Sequence, residues 1–388
     1  MKNRMHWWVG TVLGSASLAL VFGASSLSAA PTVATAYTIS NDTNGNSVLV
    51  FNFDGDALTA GPVVPTGGLG TGGQEPDFAL ANAHVLQLSD DGKLLFVCNP
   101  GSDTISVFAT TATGLTPVDR VSSGGNLPVT LAVNKSLLYV VNAGGNIGLK
   151  DNIVGFTISA DGHLTQLSGS ARPLSTDSTG PGQIGFSPDG KVLVVSEKAP
   201  NSPSLPGRMS TYTVGGDGYA TGPTVTESDV IFPFGFAFAN RNQLFVADNF
   251  YDATDAGALS SWIVGGDGSL SLVSSIVPTH QTGTCWAEAS KDGRFVLTSN
   301  TGASTISVFS IDKQSARVTL LSSFPTSSGP TDMDFSHDGR YLFALTPDEF
   351  NAGSPGIDVW SFNQSDRTVI PLQGVSGLPI TIDGIAAR

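Results

Sequence analysis

The chain is 388 residues long, 40% hydrophobic and only 13% charged, with 46 Gly and 22 Pro. That apolar content excludes a disordered chain, and the scarcity of Lys-, Glu- and Ala-rich stretches excludes a helical bundle or α-solenoid. A formal net charge of −14 opposes both a phosphate backbone and an anionic lipid surface, so nucleic acid is not an expected partner.

The first element read from the amino terminus is an export signal. Lys2 and Arg4 precede an apolar stretch from Val9 to Phe22, and small residues fill Ala24 to Ala30. This is the order of a cleavable secretory signal over residues 1–30, with the cut between Ser28 and Ala36. Gly10, Gly14 and several Ser interrupt the stretch and make it a poor permanent span. The expected mature chain, 31–388, is secreted or periplasmic and has no stable membrane insertion. Cys98 and Cys285 fall on non-adjacent repeats, so two buried free thiols are expected rather than a bridge.

Repeats of about fifty residues follow. Tyr37–Phe53 is a partial copy. Leu86–Phe108 is a full one, with Ser89-Asp90-Asp91-Gly92 between two apolar strands and Thr104-Ile105-Ser106-Val107-Phe108 as a third. Looser copies run Leu131–Phe156 and Phe236–Ile263. The remaining copies are marked by Ser187-Pro188-Asp189-Gly190, Ser290-Lys291-Asp292-Gly293 and Ser336-His337-Asp338-Gly339. In each, Gly supplies a positive φ and Asp caps its own turn. Four antiparallel strands per repeat make a propeller blade. Seven blades fit. The first lacks an inner strand, and Leu378–Ala387 is a strand without a blade. The fold class expected is therefore all-β, a seven-bladed β-propeller closed by pairing of the N- and C-terminal strands in one blade.

Within every blade the inner strand starts, and the second strand ends, on one face, opposite the Asp-Gly turns. On that face the loops between second and third strands are long in blades 3, 4, 5 and 7, which suggests a walled pocket. Second strands end in Asn41, Asn99, Asn142 and Asn300, but blade 4 has Glu197 and blade 5 has Asp248. Inner strands open with His84, Gln183, Trp286 and Asp332, and Glu288 and Asp334 come deeper along their strands. Arg208 ends the long loop of blade 4, with Lys150 and Lys198 on the same rim. The candidate catalytic residues are His84, Glu197 and Arg208; Gln183, Asp248, Trp286 and Asp332 are candidates for substrate binding. No metal-ligand cluster, phosphate loop, dinucleotide fingerprint or nucleophile elbow occurs, so no metal or cofactor is expected.

The repeat turns, with the Asn-x-Gly-Ser-x-Thr-Ile-Ser-Val-Phe type of hairpin, resemble the seven-bladed lactonase family. That family includes the propeller-type 6-phosphogluconolactonases and the 3-carboxy-cis,cis-muconate lactonising enzymes. The resemblance covers nearly all of Tyr37–Ala387. It implies hydrolysis or formation of a lactone, with His84 or Glu197 as general base and Arg208 on an anionic group. Blade 4 keeps the family's acid in Ser196-Glu197-Lys198. Gly182-Gln183 replaces the family's Arg-His pair, and Cys285-Trp286 replaces another basic-His start. The alternative is a non-catalytic propeller that binds a ligand, glycan or protein, with Phe250, Tyr251 and Phe350 as rim aromatics. The default partner is a small lactone or carboxylate, and the default state is a monomer.

Overall fold

Seven antiparallel sheets form, six of four strands and one of five, and in all but the first the strands run outward in chain order. The coordinates are a computed structural model. It describes residues 31–73, 83–112, 114–198, 206–228, 232–250, 253–347 and 354–388, apart from the side chains of residues 145 and 146. The export signal expected over residues 1–30 lies outside the described residues, as do Tyr251, Phe350 and much of the long loops of blades 4 and 7. Among the described residues no helix is long and apolar enough to cross a membrane.

Burial grades outward through each blade. In blade 4 the second strand, Val192–Glu197, is buried at all six positions, whereas the outer strand, Ala220–Glu227, is exposed at most of its positions. Sandwiching between neighbouring blades accounts for the continuous apolar runs of the inner strands, and one-sided burial for the polar edge. In blade 3 the outer edge is split, with Leu164–Gln166 and Arg172–Pro173 both pairing with the third strand.

Side chains from adjacent blades pack around the full circle. Val48 and Val97 belong to a core spanning blades 1 to 3. Val141 meets Leu193 between blades 3 and 4, and Val194 meets Val246 between blades 4 and 5. Phe245 meets Val296 between blades 5 and 6, and Leu297 meets Leu342 between blades 6 and 7. Phe343 and Phe53, with ring centroids 5.8 Å apart, join blade 7 to blade 1.

The last join depends on the carboxyl-terminal strand, Asp383–Ala387. It pairs antiparallel with Ala34–Ile39, placing Ala387 opposite Ala36 and Ala386 opposite Tyr37. Thr35 and Arg388 exchange both backbone hydrogen bonds at 3.0 Å. The first blade thus receives its inner strand from the far end of the chain, as expected.

The Ser-x-Asp-Gly turns share one hydrogen-bonding scheme. In blade 2 the Ser89 hydroxyl donates to Asp91 Oδ1 at 2.8 Å, while Leu94 N donates back to Ser89 Oγ at 3.0 Å. Gly92 sits at φ +66°, which an L side chain adopts at a cost. Cys98 and Cys285 are buried free thiols.

Candidate active site

The two ends of the axis differ in kind. At the long-loop end, Ala83, Phe232, Phe234, Cys285 and Trp286 form one buried apolar cluster. Ala83 precedes blade 2, and the others open the inner strands of blades 5 and 6, so the cluster bridges the axis. Phe234 and Trp286 meet edge-on with centroids 5.8 Å apart, and Lys198 Nζ lies 4.8 Å from the Phe234 ring centre.

Toward the Asp-Gly turns, two chambers of about 370 and 390 Å³ share His84, Gln87, Glu288 and Lys291 as walls. Gln183 and Phe236 line the first, and Asp90, Asp334, His337 and Arg388 the second. Such volumes suit a small organic ligand. These two chambers run to the turn face; the long loops from which the sequence suggested a walled pocket lie in large part outside the described residues.

His84 occupies a left-handed backbone conformation, φ +60°, just before the inner strand of blade 2. Its position is over-determined. Its carbonyl accepts from Leu131 N at 3.0 Å, and its N–H donates to Asp332 Oδ2 at 3.4 Å. The tautomer follows from its neighbour. Gln183 Oε1 accepts from Phe236 N at 2.7 Å, which fixes the amide orientation. Gln183 Nε2 then donates to Phe236 O at 2.8 Å and faces His84 Nδ1 at 3.3 Å. With an N–H donor opposite it, Nδ1 must be the acceptor, so the imidazole proton resides on Nε2. Burial and, secondarily, the charge of Lys291 depress the His84 pKa to about 4, which keeps the ring neutral at pH 7.

Below it lies a charged cluster. Lys291 Nζ is 3.9 Å from Glu288 Oε1 and 3.7 Å from Asp334 Oδ1. Asp334 Oδ2 also accepts from Ala387 N at 2.8 Å. Burial raises the Glu288 pKa to about 8; Lys291 opposes that rise, and Asp334 and Asp332 add to it. Burial likewise raises Asp334 against the pull of Lys291. Asp332, also raised by burial to about 7, accepts N–H bonds from His84, Met333 and Ile385 and so ties blades 2 and 7 to the closing strand.

The sequence candidates thus divide. His84, Gln183 and Asp332 meet at the axis. Trp286 belongs to the apolar cluster, and Asp248 is buried at the end of the second strand of blade 5. Glu197 and Arg208 form a separate group around Ser175. Ser175 N donates to Glu197 Oε1 at 3.2 Å, its hydroxyl donates to Oε2, and Arg208 Nη1 donates to Ser175 Oγ at 3.3 Å. Burial raises the Glu197 pKa although Ser175 and Arg208 favour the charged form. Glu197 occupies the slot held by Asn99 and Asn300 in blades 2 and 6, whose amides bond Ser106 and Ser307 on the third strand. Ser210 stands at that third-strand position in blade 4. Lys150 pairs with Asp177 at 3.3 Å on the surface. Among the described residues no group of three potential ligands could hold a metal ion.

Lys291 was not among the sequence candidates. It is the variable residue of a Ser-x-Asp-Gly turn, and the same slot in blades 2, 4 and 7 holds Asp90, Pro188 and His337. All four line the axial chambers. Comparing the turns with one another, rather than the strand ends, would have found it.

Seven radial sheets with a titratable cavity on their common axis define a seven-bladed β-propeller with an axial pocket. The family model described as lactonase, 7-bladed beta-propeller, matches residues 30–171 and 264–376. The chain belongs to that family. The interval between the matched segments holds blade 4 and the inner part of blade 5, and with them Gln183, Glu197, Arg208 and Asp248. A 6-phosphogluconolactonase of Serratia proteamaculans is 25% identical over 310 residues, covering 69% of this chain and 92% of the relative. The periplasmic gluconolactonase of Pseudomonas aeruginosa has a similar structure, with a TM-score of 0.65 at 17% identity over 91% of this chain and 99% of the other. A Lactobacillus plantarum protein gives 0.69 at 16% identity over 92% and 99%. At such identities these structures speak to the fold.

Proposed function

We propose that this chain is an exported hydrolase of small sugar lactones and that the reaction takes place in the axial cavity. The observation that carries this reading is the presence, around the chamber of about 390 Å³, of a neutral imidazole with its proton on Nε2 and a carboxyl pair held by one lysine. Family membership and the activities named for its relatives support it.

The chemistry follows from the protonation states. His84 Nε2–H donates to the lactone carbonyl and to the oxyanion that replaces it, a role for a neutral donor rather than a base. Asp334, the partner nearer to Lys291, takes a proton from water as that water attacks the carbonyl carbon. Glu288, with its raised pKa, stays protonated. It gives its proton to the ring oxygen as the carbon–oxygen bond breaks. The proton on Asp334 then returns to Glu288, and the product acid ionises into solvent. Proton transfer of this kind contributes ~10²–10⁴-fold.

A second reading places the reaction at Glu197, Ser175 and Arg208, because these three are already linked by hydrogen bonds. A pH-stat assay across a panel of sugar and aromatic-acid lactones separates the two. On the axial reading Glu288→Gln loses about 10²-fold or more in kcat, and Glu197→Gln stays within about threefold. The reverse result moves the site to the long-loop rim. Absence of turnover with every lactone removes the hydrolase reading and leaves a binding propeller.

A further inference from the structure

We infer that the lactone taken by the axial cavity is uncharged, and that this cavity rejects a phosphorylated sugar lactone; the inference rests on the axial reading above. A phosphate group needs a cation or a set of N–H donors free to meet it. The cavity walls hold few positive groups, and these are engaged. Lys291 lies within 4 Å of the Asp334 and Glu288 carboxyl groups. Arg388 spends Nη1 on Thr110 Oγ1 and Nη2 on the Thr111 carbonyl, both at 2.7 Å, which directs its guanidinium to blade 2. The His84 ring is neutral, with Nδ1 facing the Gln183 amide. His337 stands at the exposed rim. Against them stand Asp334 and, at the mouth, Asp90, while Glu288 is a neutral acid that brings no positive charge.

A dianionic phosphate entering this enclosure would be desolvated beside carboxyl groups and could be accommodated only with proton uptake. The hydroxyl groups of an unphosphorylated lactone meet no such barrier. They can donate to Asp334 and accept from the protonated Glu288. The same field has a second effect. Hydrolysis converts a neutral substrate into an aldonate anion, so the walls repel the product they generate. The Arg208 group has the opposite character, because its guanidinium sits half-exposed on a rim and would favour an anionic substrate.

The test compares glucono-δ-lactone with 6-phosphoglucono-δ-lactone under identical salt. The expected kcat/KM is about 100-fold higher for the uncharged lactone. Asp90→Lys, which reverses a charge at the cavity mouth, should raise kcat/KM for the phosphorylated lactone about tenfold relative to the uncharged one. Equal use of the two lactones, or preference for the phosphorylated one, overturns the inference while leaving a lactonase in place. Loss of that preference in Arg208→Ala would then locate the site on the rim. If neither lactone is hydrolysed the hydrolase reading fails, and calorimetric titration decides the charge question alone. Binding of glucono-δ-lactam at least tenfold tighter than 6-phosphogluconate supports the inference, and any other outcome overturns it.

Discussion

The two ends of the axis are built from the same seven strands yet present opposite chemistry. Among the described residues the long-loop end carries the apolar cluster of Phe232, Phe234 and Trp286, and the turn end is lined by Glu288, Lys291 and Asp334. Inner strands of a propeller converge on the axis, so each of their ends must be either packed or hydrated. Here the residues before and at the start of the strands do the packing, and the turns beyond the strands stay wet. Among the described residues, the difference teaches that the chemistry of each axial end is decided by a few side chains at that end of the inner strands.

The comparison can be broken most severely at the apolar end. Trp286→Ala should cost about 3–5 kcal/mol in urea unfolding, because it removes a large buried ring and leaves a cavity. The folded variant should keep lactone kcat/KM within about threefold. A large loss of activity without loss of stability would show that the packed end touches substrate.

Gln183→Leu sharpens the other side. His84 would lose the donor that fixes its tautomer, and kcat should fall about 10- to 100-fold (~1.4–2.7 kcal/mol) with little change in KM. The 15N signals of His84 distinguish this from a merely structural effect. The wild type should show an unprotonated Nδ1, and the variant a mixture of tautomers.

The pH dependence tests Glu288. With its pKa near 8 in the folded chain, kcat should fall as pH rises above about 8, and the residual rate of Glu288→Gln should lack that limb. Stability carries the same signature. Between the ordinary value of 4.5 and about 8 the folded chain holds a proton that the unfolded chain has released. Stability therefore falls as pH climbs through that window, and it is flat in this contribution above it. Chemical unfolding at pH 5 and pH 9 should show Glu288→Gln gaining on the wild type at the higher pH.

The smallest effect lies on the outer surface. Lys93 pairs with Asp91 at 2.8 Å, but both side chains are largely exposed. Lys93→Ala should leave Tm within about a degree, since exposed pairs contribute little.

The seven-fold repeat and its closure were legible because the determinants are local. Ser-x-Asp-Gly encodes its own turn hydrogen bonds, and a strand lacking a blade at one terminus matches a blade lacking a strand at the other. Part of the site was legible for the same reason: His84, Gln183 and Asp332 open inner strands, and inner strands meet at the axis. Glu197 and Arg208 were grouped with them because all stand near one face of the ring. Their side chains leave a second and a third strand, however, where side chains face neighbouring strands and blades rather than the axis. The left-handed backbone of His84 and the Gln183–Phe236 pairing that fixes its proton depend on contacts between residues about 50 to 100 positions apart. No pattern along one strand encodes them.

The pairing of Asp383–Ala387 with Ala34–Ile39 has a temporal consequence. A growing chain can stack six sheets early, but it keeps a bare strand edge until its final residues are free to reach back. Such a contact, spanning nearly the whole polymer, forms late and slowly. Joining the two ends through a short linker and cutting an outer hairpin instead would convert that latch into an ordinary turn, and the permuted chain should assemble sooner while keeping the same pocket.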